Sequence, residues 1–262
     1  MKKLFFLALC AIVAMSTMAQ STKVMKVWSN GNVVEQKDTR AVDSVTFAVS
    51  DDKLVYIEDV FTLSGRGDVP TFDSVYGGVF HVGDIVRIIS PCDSIPVVTD
   101  TIKGIQGPGR QTYESTELFP DTSSAGAFLF ATGRVKGIVE SGAAVVAVEN
   151  SPYEKAHKLI CDAYVYTKDE GGRHTPFFVN YRPQLYTNKV ALFTVDVTDL
   201  GTVDGEAVEM VMPGSTVENM VIESYRTTVN GWGYGFVPYI GQTLYIRESS
   251  RTVAILTVKG WE

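Results

Sequence analysis

Apolar residues along this chain gather in short runs between polar and turn-forming residues. LVYIEDVFTL (Leu54 to Leu63), IVRII (Ile85 to Ile89), GAFLFATGRV (Gly126 to Val135) and AAVVAVE (Ala143 to Glu149) are short β-branched or aromatic runs. Gly, Pro, Asp and Ser separate them. That texture predicts strands closed into a barrel or sandwich. After Ser151-Pro152, where the residue before proline favours extended backbone, the texture resumes. KLICDAYVYT (Lys158 to Thr167), KVALFTVDVT (Lys189 to Thr198), TLYIRE (Thr243 to Glu248) and TVAILTVKG (Thr252 to Gly260) are the next runs. Outside the N-terminus no stretch carries a sustained 3.6-residue period. The pattern predicts an all-β chain with two barrel or sandwich units, over 51–150 and 151–262, and a short β-rich prefix over 20–50. In the prefix, Asn30-Gly31 between KVMKVW and VVEQ is a hairpin signal, because both residues tolerate positive φ. AVDSVTF (Ala41 to Phe47) reads as a third short strand.

The first residues differ. Lys2-Lys3 precede an apolar run from Leu4 to Met15, and Thr17-Met18-Ala19 supplies small residues for cleavage. This predicts a signal peptide over 1–19, since the run falls short of the ~20 residues that span a bilayer. Export to the periplasm, cell surface or medium is the expectation, with no membrane span in the mature chain. The 262 residues carry a net charge of −7. Removing Lys2 and Lys3 leaves 21 basic against 30 acidic residues, or −9. Such a balance repels phosphate backbones and disfavours general nucleic-acid binding. Of three cysteines, Cys92 and Cys161 lie beyond that segment. They permit one disulfide, although two buried thiols in different domains are the simpler expectation.

Three motifs carry a more specific message. KDEGGRHTPFFVNYRPQ (Lys168 to Gln184), VEMVMPG (Val208 to Gly214) and IRESSRTV (Ile246 to Val253) closely resemble the third domain of bacterial elongation factor Tu. YIEDVFTLSGRG (Tyr56 to Gly67) and GGVFHVGD (Gly77 to Asp84) resemble, less extensively, its second domain. The resemblance covers about four-fifths of the chain and implies two barrels of that kind without the GTPase domain. The prefix is similar to one at the front of exported proteins of Bacteroidetes-type bacteria.

In the family, the first of these barrels holds the aminoacylated 3′ end of transfer RNA. The resemblance assigns that role to Glu58, Asp59, Phe61 and Thr71, with Gln106 where the family has a glutamate and Ser124-Ala125-Gly126 where it has an asparagine. In the second barrel it assigns T-stem contacts to Arg173, His174, Gln184, Thr198 and Glu248. Ser249-Ser250 replaces a Gly-Gly pair that lets backbone approach RNA. The alternative for GGRHTPFF is packing, with Gly171-Gly172 as turn residues and Phe177-Phe178 in a seam.

No residues predict catalysis. The nearest run to a phosphate loop, Gly104 to Arg110, lacks the lysine and the magnesium-binding hydroxyl, and Pro108 removes an amide donor. No GTP and no other cofactor is expected. His81, His157 and His174 stand in separate contexts without ligand spacing, so no metal is expected. Arg66-Gly67-Asp68 is an adhesive tripeptide on a predicted turn, although a barrel turn need not project it. Asp-Ser/Thr-apolar triplets, such as Asp73-Ser74-Val75, resemble O-glycosylation sites or are plain turn chemistry. The function expected is a non-catalytic exported binding or scaffold protein with an unknown protein or surface partner. The alternative is a transfer-RNA or translation-related binding module that keeps the T-stem contacts.

Overall fold

A computed structural model describes residues 24–29, 32–38, 52–120, 125–187, 189–225 and 233–262. The predicted signal peptide, AVDSVTF, Asn30-Gly31 and Ser124 lie outside them. The chain divides into two compact units, Met1–Ala48 and Val49–Glu262. In the first, β1 (Val24–Ser29) pairs antiparallel with β2 (Asn32–Asp38), with Ser29 opposite Asn32.

The second unit holds two closed barrels. β3 (Leu54–Leu63), β4 (Gly67–Tyr76), β5 (Ile85–Ile89), β6 (Val98–Gln106), β8 (Gly126–Phe130) and β9 (Ala144–Ala147) form one in the order β5-β9-β3-β4-β8-β6. Pairing of β5 with β6 closes it, and the short β7 (Thr112–Tyr113) extends β6. The other runs β10-β17-β16-β11-β12-β15, closed by β10 against β15. Its strands are β10 (Lys158–Val165), β11 (Gln184–Tyr186), β12 (Ala191–Asp199), β15 (Thr216–Ser224), β16 (Thr243–Glu248) and β17 (Arg251–Trp261). A hairpin of β13 (Thr202–Val203) and β14 (Glu206–Ala207) hangs on β15.

The period of two explains how the barrels join. Successive side chains of a strand point to opposite faces. In β3, Val55 and Ile57 enter the first barrel's core, while Leu54 and Tyr56 join the second barrel's cluster. β9 does the same, with Val145 inward and Ala144 and Val146 toward the partner barrel. Both faces are buried, which is why AAVVAVE reads as a continuous apolar run. The second barrel alternates cleanly; every other residue of β10, from Leu159 to Val165, is buried.

Polar contacts complete the seam. Tyr56 Oη donates to the Val237 carbonyl at 2.6 Å and accepts from Gln242 Nε2 at 3.0 Å. The segment around Gly233–Phe236 is a strap: Gly235 N–H donates to Pro91 O at 2.8 Å, and Asp93 N–H to Gly233 O at 3.0 Å. Phe236 pairs with Ala156 on the strap's other side. Asp93 also accepts from Lys155 at 3.2 Å and contacts His157 Nε2 at 3.0 Å. Cys92 and Cys161 are buried free thiols. Among the described residues no helix is long and apolar enough to cross a membrane.

Candidate functional site

The β3–β4 hairpin rises beyond the barrel wall, and its register builds a cleft. Phe61 lies opposite Val69 and Leu63 opposite Gly67, so the side chains of this face share one surface. Between Ile57 and Asp59 the register shifts by one residue, leaving Glu58 as the extra residue of a β-bulge. Bulges re-aim side chains. Glu58 faces the cleft as a result, whereas Asp59 turns away and accepts the Val60 N–H at 2.7 Å. Opposite the hairpin, β6 ends at Gln106 and the chain makes a tight turn, Pro108–Arg110. The space between measures about 830 Å³, a size suited to a small ligand.

Its floor is Phe72, buried and in ring contact with Phe119 and Phe128. Gly126 is required beside it, since a Cβ there would sit 2.7 Å from Gln106 O and 2.8 Å from the Phe72 ring. Phe61 and Leu63 stand 51% and 42% exposed over this floor. Four of the five residues that the resemblance placed in this barrel's pocket, Glu58, Phe61, Thr71 and Gln106, thus line one cleft. Sequence reading missed Arg66 and Arg110, which line it too. In the structure Gly109 has φ 70° and Arg110 itself is held at φ 62°. A non-glycine residue in that region is a strained conformation that clusters at functional sites.

The Gly104-to-Arg110 run is a strand end and a 3₁₀ turn leading into β7, with no helix after it to present amides to a phosphate. Arg66-Gly67-Asp68 also loses its adhesive reading. Asp68 Oδ2 accepts the Val135 and Lys136 N–H groups at 2.8 Å each, and Oδ1 accepts the Thr62 hydroxyl at 2.7 Å. The Thr62 bond first, then the Lys136 amide, hold its pKa below the usual carboxylate value. Three of its about four acceptor sites are taken and the residue is buried, so the carboxylate is not presented to a receptor-bound cation.

In the second barrel, Arg173, Glu248 and Thr198, three of the residues matched to T-stem contacts, are bound to their own fold. Arg173 Nη1 donates to Glu248 Oε1, which also accepts from Tyr181 Oη at 2.8 Å. The guanidinium lies 4.7 Å from the Tyr181 ring centre and donates from Nε to Thr175 O at 3.1 Å and from Nη2 to Pro176 O at 3.3 Å. Its side chain is 13% exposed. Gln184, on β11, lies opposite Arg247, next to Glu248. Thr198 stands apart, donating to Glu223 at 3.1 Å, and His174 is exposed. Ser249, at the β16–β17 turn, has φ 55°, a conformation glycine adopts without strain. Phe177 is buried and stacked on Tyr181, but Phe178 is 52% exposed, so the expected Phe177-Phe178 seam holds only one of the pair. Phe177 makes an isolated antiparallel bridge with Val211, and Phe178 follows it outside any strand. Gly172 is fixed by packing, because a Cβ would lie 2.2 Å from Tyr166 O.

Two six-stranded barrels, sharing a seam through β3 and β9 and carrying an open cleft on the first, define a class of paired β-barrel proteins. Residues 152–260 match the family model described as the elongation factor Tu C-terminal domain. The first barrel's architecture fits the second domain of the same factor, so the pair is elongation-factor-Tu-like.

Proposed function

We propose that this chain is a non-catalytic, exported binding protein whose ligand seat is the cleft between the β3–β4 hairpin and the Pro108–Arg110 turn. The cleft carries the reading: it is large, apolar-floored and roofed by exposed Phe61 and Leu63. The absence of a phosphate-cradling loop in the sequence supports a role without GTP. The N-terminal Lys2-Lys3 and apolar run support export. The partner is a protein or surface component, not nucleic acid; the net charge of −7 opposes a polyanion.

A second reading, residual transfer-RNA binding, draws on Glu58, Phe61, Thr71 and Gln106 sharing one cleft. Against it stand the internal clamp on Arg173 and Glu248 and the serine pair at Ser249-Ser250. Filter binding with charged and bare transfer RNA, with cell fractionation beside it, separates the two. The proposal expects envelope or medium localisation and no salt-sensitive RNA retention at micromolar protein. Cytosolic localisation with tight, salt-sensitive retention of charged transfer RNA supports the second reading instead.

A further inference from the structure

The geometry points to the ligand class of that cleft: an amphiphilic carboxylate, with an apolar or aromatic body on the Phe72 floor and one anionic head at the arginine rim. This rests on the proposed role of the cleft as the ligand seat.

Arg66 and Arg110 line the cleft, both exposed, and neither has an ion-pair partner among the described residues. Several other basic groups are committed in ion pairs: Lys53 to Asp84, Arg87 to Glu154, Lys155 to Asp93, Arg173 to Glu248, Arg182 to Asp196 and Lys259 to Asp162. Among the described residues Glu58 is the single acidic side chain of the lining. Two guanidiniums against one carboxylate make the cleft locally positive on a chain of net charge −7. Guanidinium forks match carboxylates bidentately and are weakly hydrated beside apolar surface. Arg110 stands at the end of the Pro108–Arg110 turn on left-handed backbone, φ 62°.

The same inventory selects against other anions. Glu58 and the surrounding negative charge repel a polyanion, whereas a single carboxylate meets both arginines at smaller cost. Phe61, Leu63, Val69, Phe72 and Pro108 give the ligand's body more apolar contact than a bare ion could use. Two sources share this chemistry, a free acyl or aryl acid and the carboxyl end of a peptide with a large apolar last residue.

Titration calorimetry of the full mature chain tests this with N-acetyl-phenylalanine, its C-terminal amide and dodecanoate. The acid is expected to bind at least about tenfold more tightly than the amide, the scale of a lost charge-assisted pair. The Arg66→Gln/Arg110→Gln double variant should lose that preference, binding acid and amide alike, while Glu58→Gln keeps or strengthens acid binding. Dodecanoate tighter than N-acetyl-phenylalanine assigns the free amphiphile; the reverse order assigns the chain end. Equal binding of acid and amide, abolished by Phe61→Ser, overturns the charge selectivity and leaves the cleft as ligand seat. No binding of any probe overturns the ligand class and the seat together.

Discussion

Replacing Tyr56 with phenylalanine removes one oxygen from the seam between the barrels and leaves everything else in place. The ring keeps its stack on Phe236, centres 5.2 Å apart, and its edge contact with Tyr76 at 5.8 Å. What goes is the donor to Val237 O and the acceptor for Gln242 Nε2. Val237 and Gln242 are 3% and 2% exposed, so water does not reach the abandoned groups without opening the seam. A buried polar group left without a partner costs about 1–3 kcal/mol. Gln242 keeps one bond, accepting Tyr239 N–H at 3.2 Å, so we expect a loss near the middle of that range, about 2 kcal/mol. For a unit of this size, that lowers Tm by about 4–8 °C. Urea unfolding gives the free energy and the m value together. Tyr113→Phe, whose hydroxyl bonds Gln111 at the surface, is the control and should change stability by less than about 0.5 kcal/mol. A Tyr56→Phe loss below about 0.5 kcal/mol at unchanged m would refute the claim that the seam is dry.

The remaining expectations concern charge and reactivity. Burial raises the phenol pKa of Tyr56, Tyr76 and Tyr153, and pushes Tyr239 up to about 12. Unfolded tyrosine titrates near 10, so the stability these phenols supply is complete below that pH and is lost as pH rises through the folded values. Absorbance titration should therefore show late, cooperative tyrosinate formation coincident with unfolding, and early reversible ionisation of all tyrosines would contradict it. Cys161, pushed up to about 12 by burial, should resist thiol reagents in the native protein and react only in denaturant; rapid native labelling at this position disproves its burial. Glu248→Ala strands Arg173 and Tyr181 and should lower stability by about 2 kcal/mol. Transfer-RNA retention in filter binding should not change, whereas the RNA-contact reading requires it to fall with stability preserved.

Much of this molecule was legible in its residues. The short β-branched and aromatic runs LVYIEDVFTL and KLICDAYVYT, bounded by turn residues, already spell strands. The two-sided burial of β9 is already implied by the unbroken apolar AAVVAVE. GGRHTPFF identified the second barrel's family, yet its individual roles were not local properties. Whether Arg173 meets RNA or Glu248 depends on a residue 75 positions away. Asp68 looked free on a turn until Val135 and Lys136, brought in by chain closure, took its carboxylate. The bulge at Glu58 exchanged the facings of Glu58 and Asp59, and the Arg66–Arg110 rim exists only because β6 ends opposite the β3–β4 hairpin. Local periodicity fixes which face of a strand is apolar. Only long-range pairing decides what that face, and each charge beside it, is placed against.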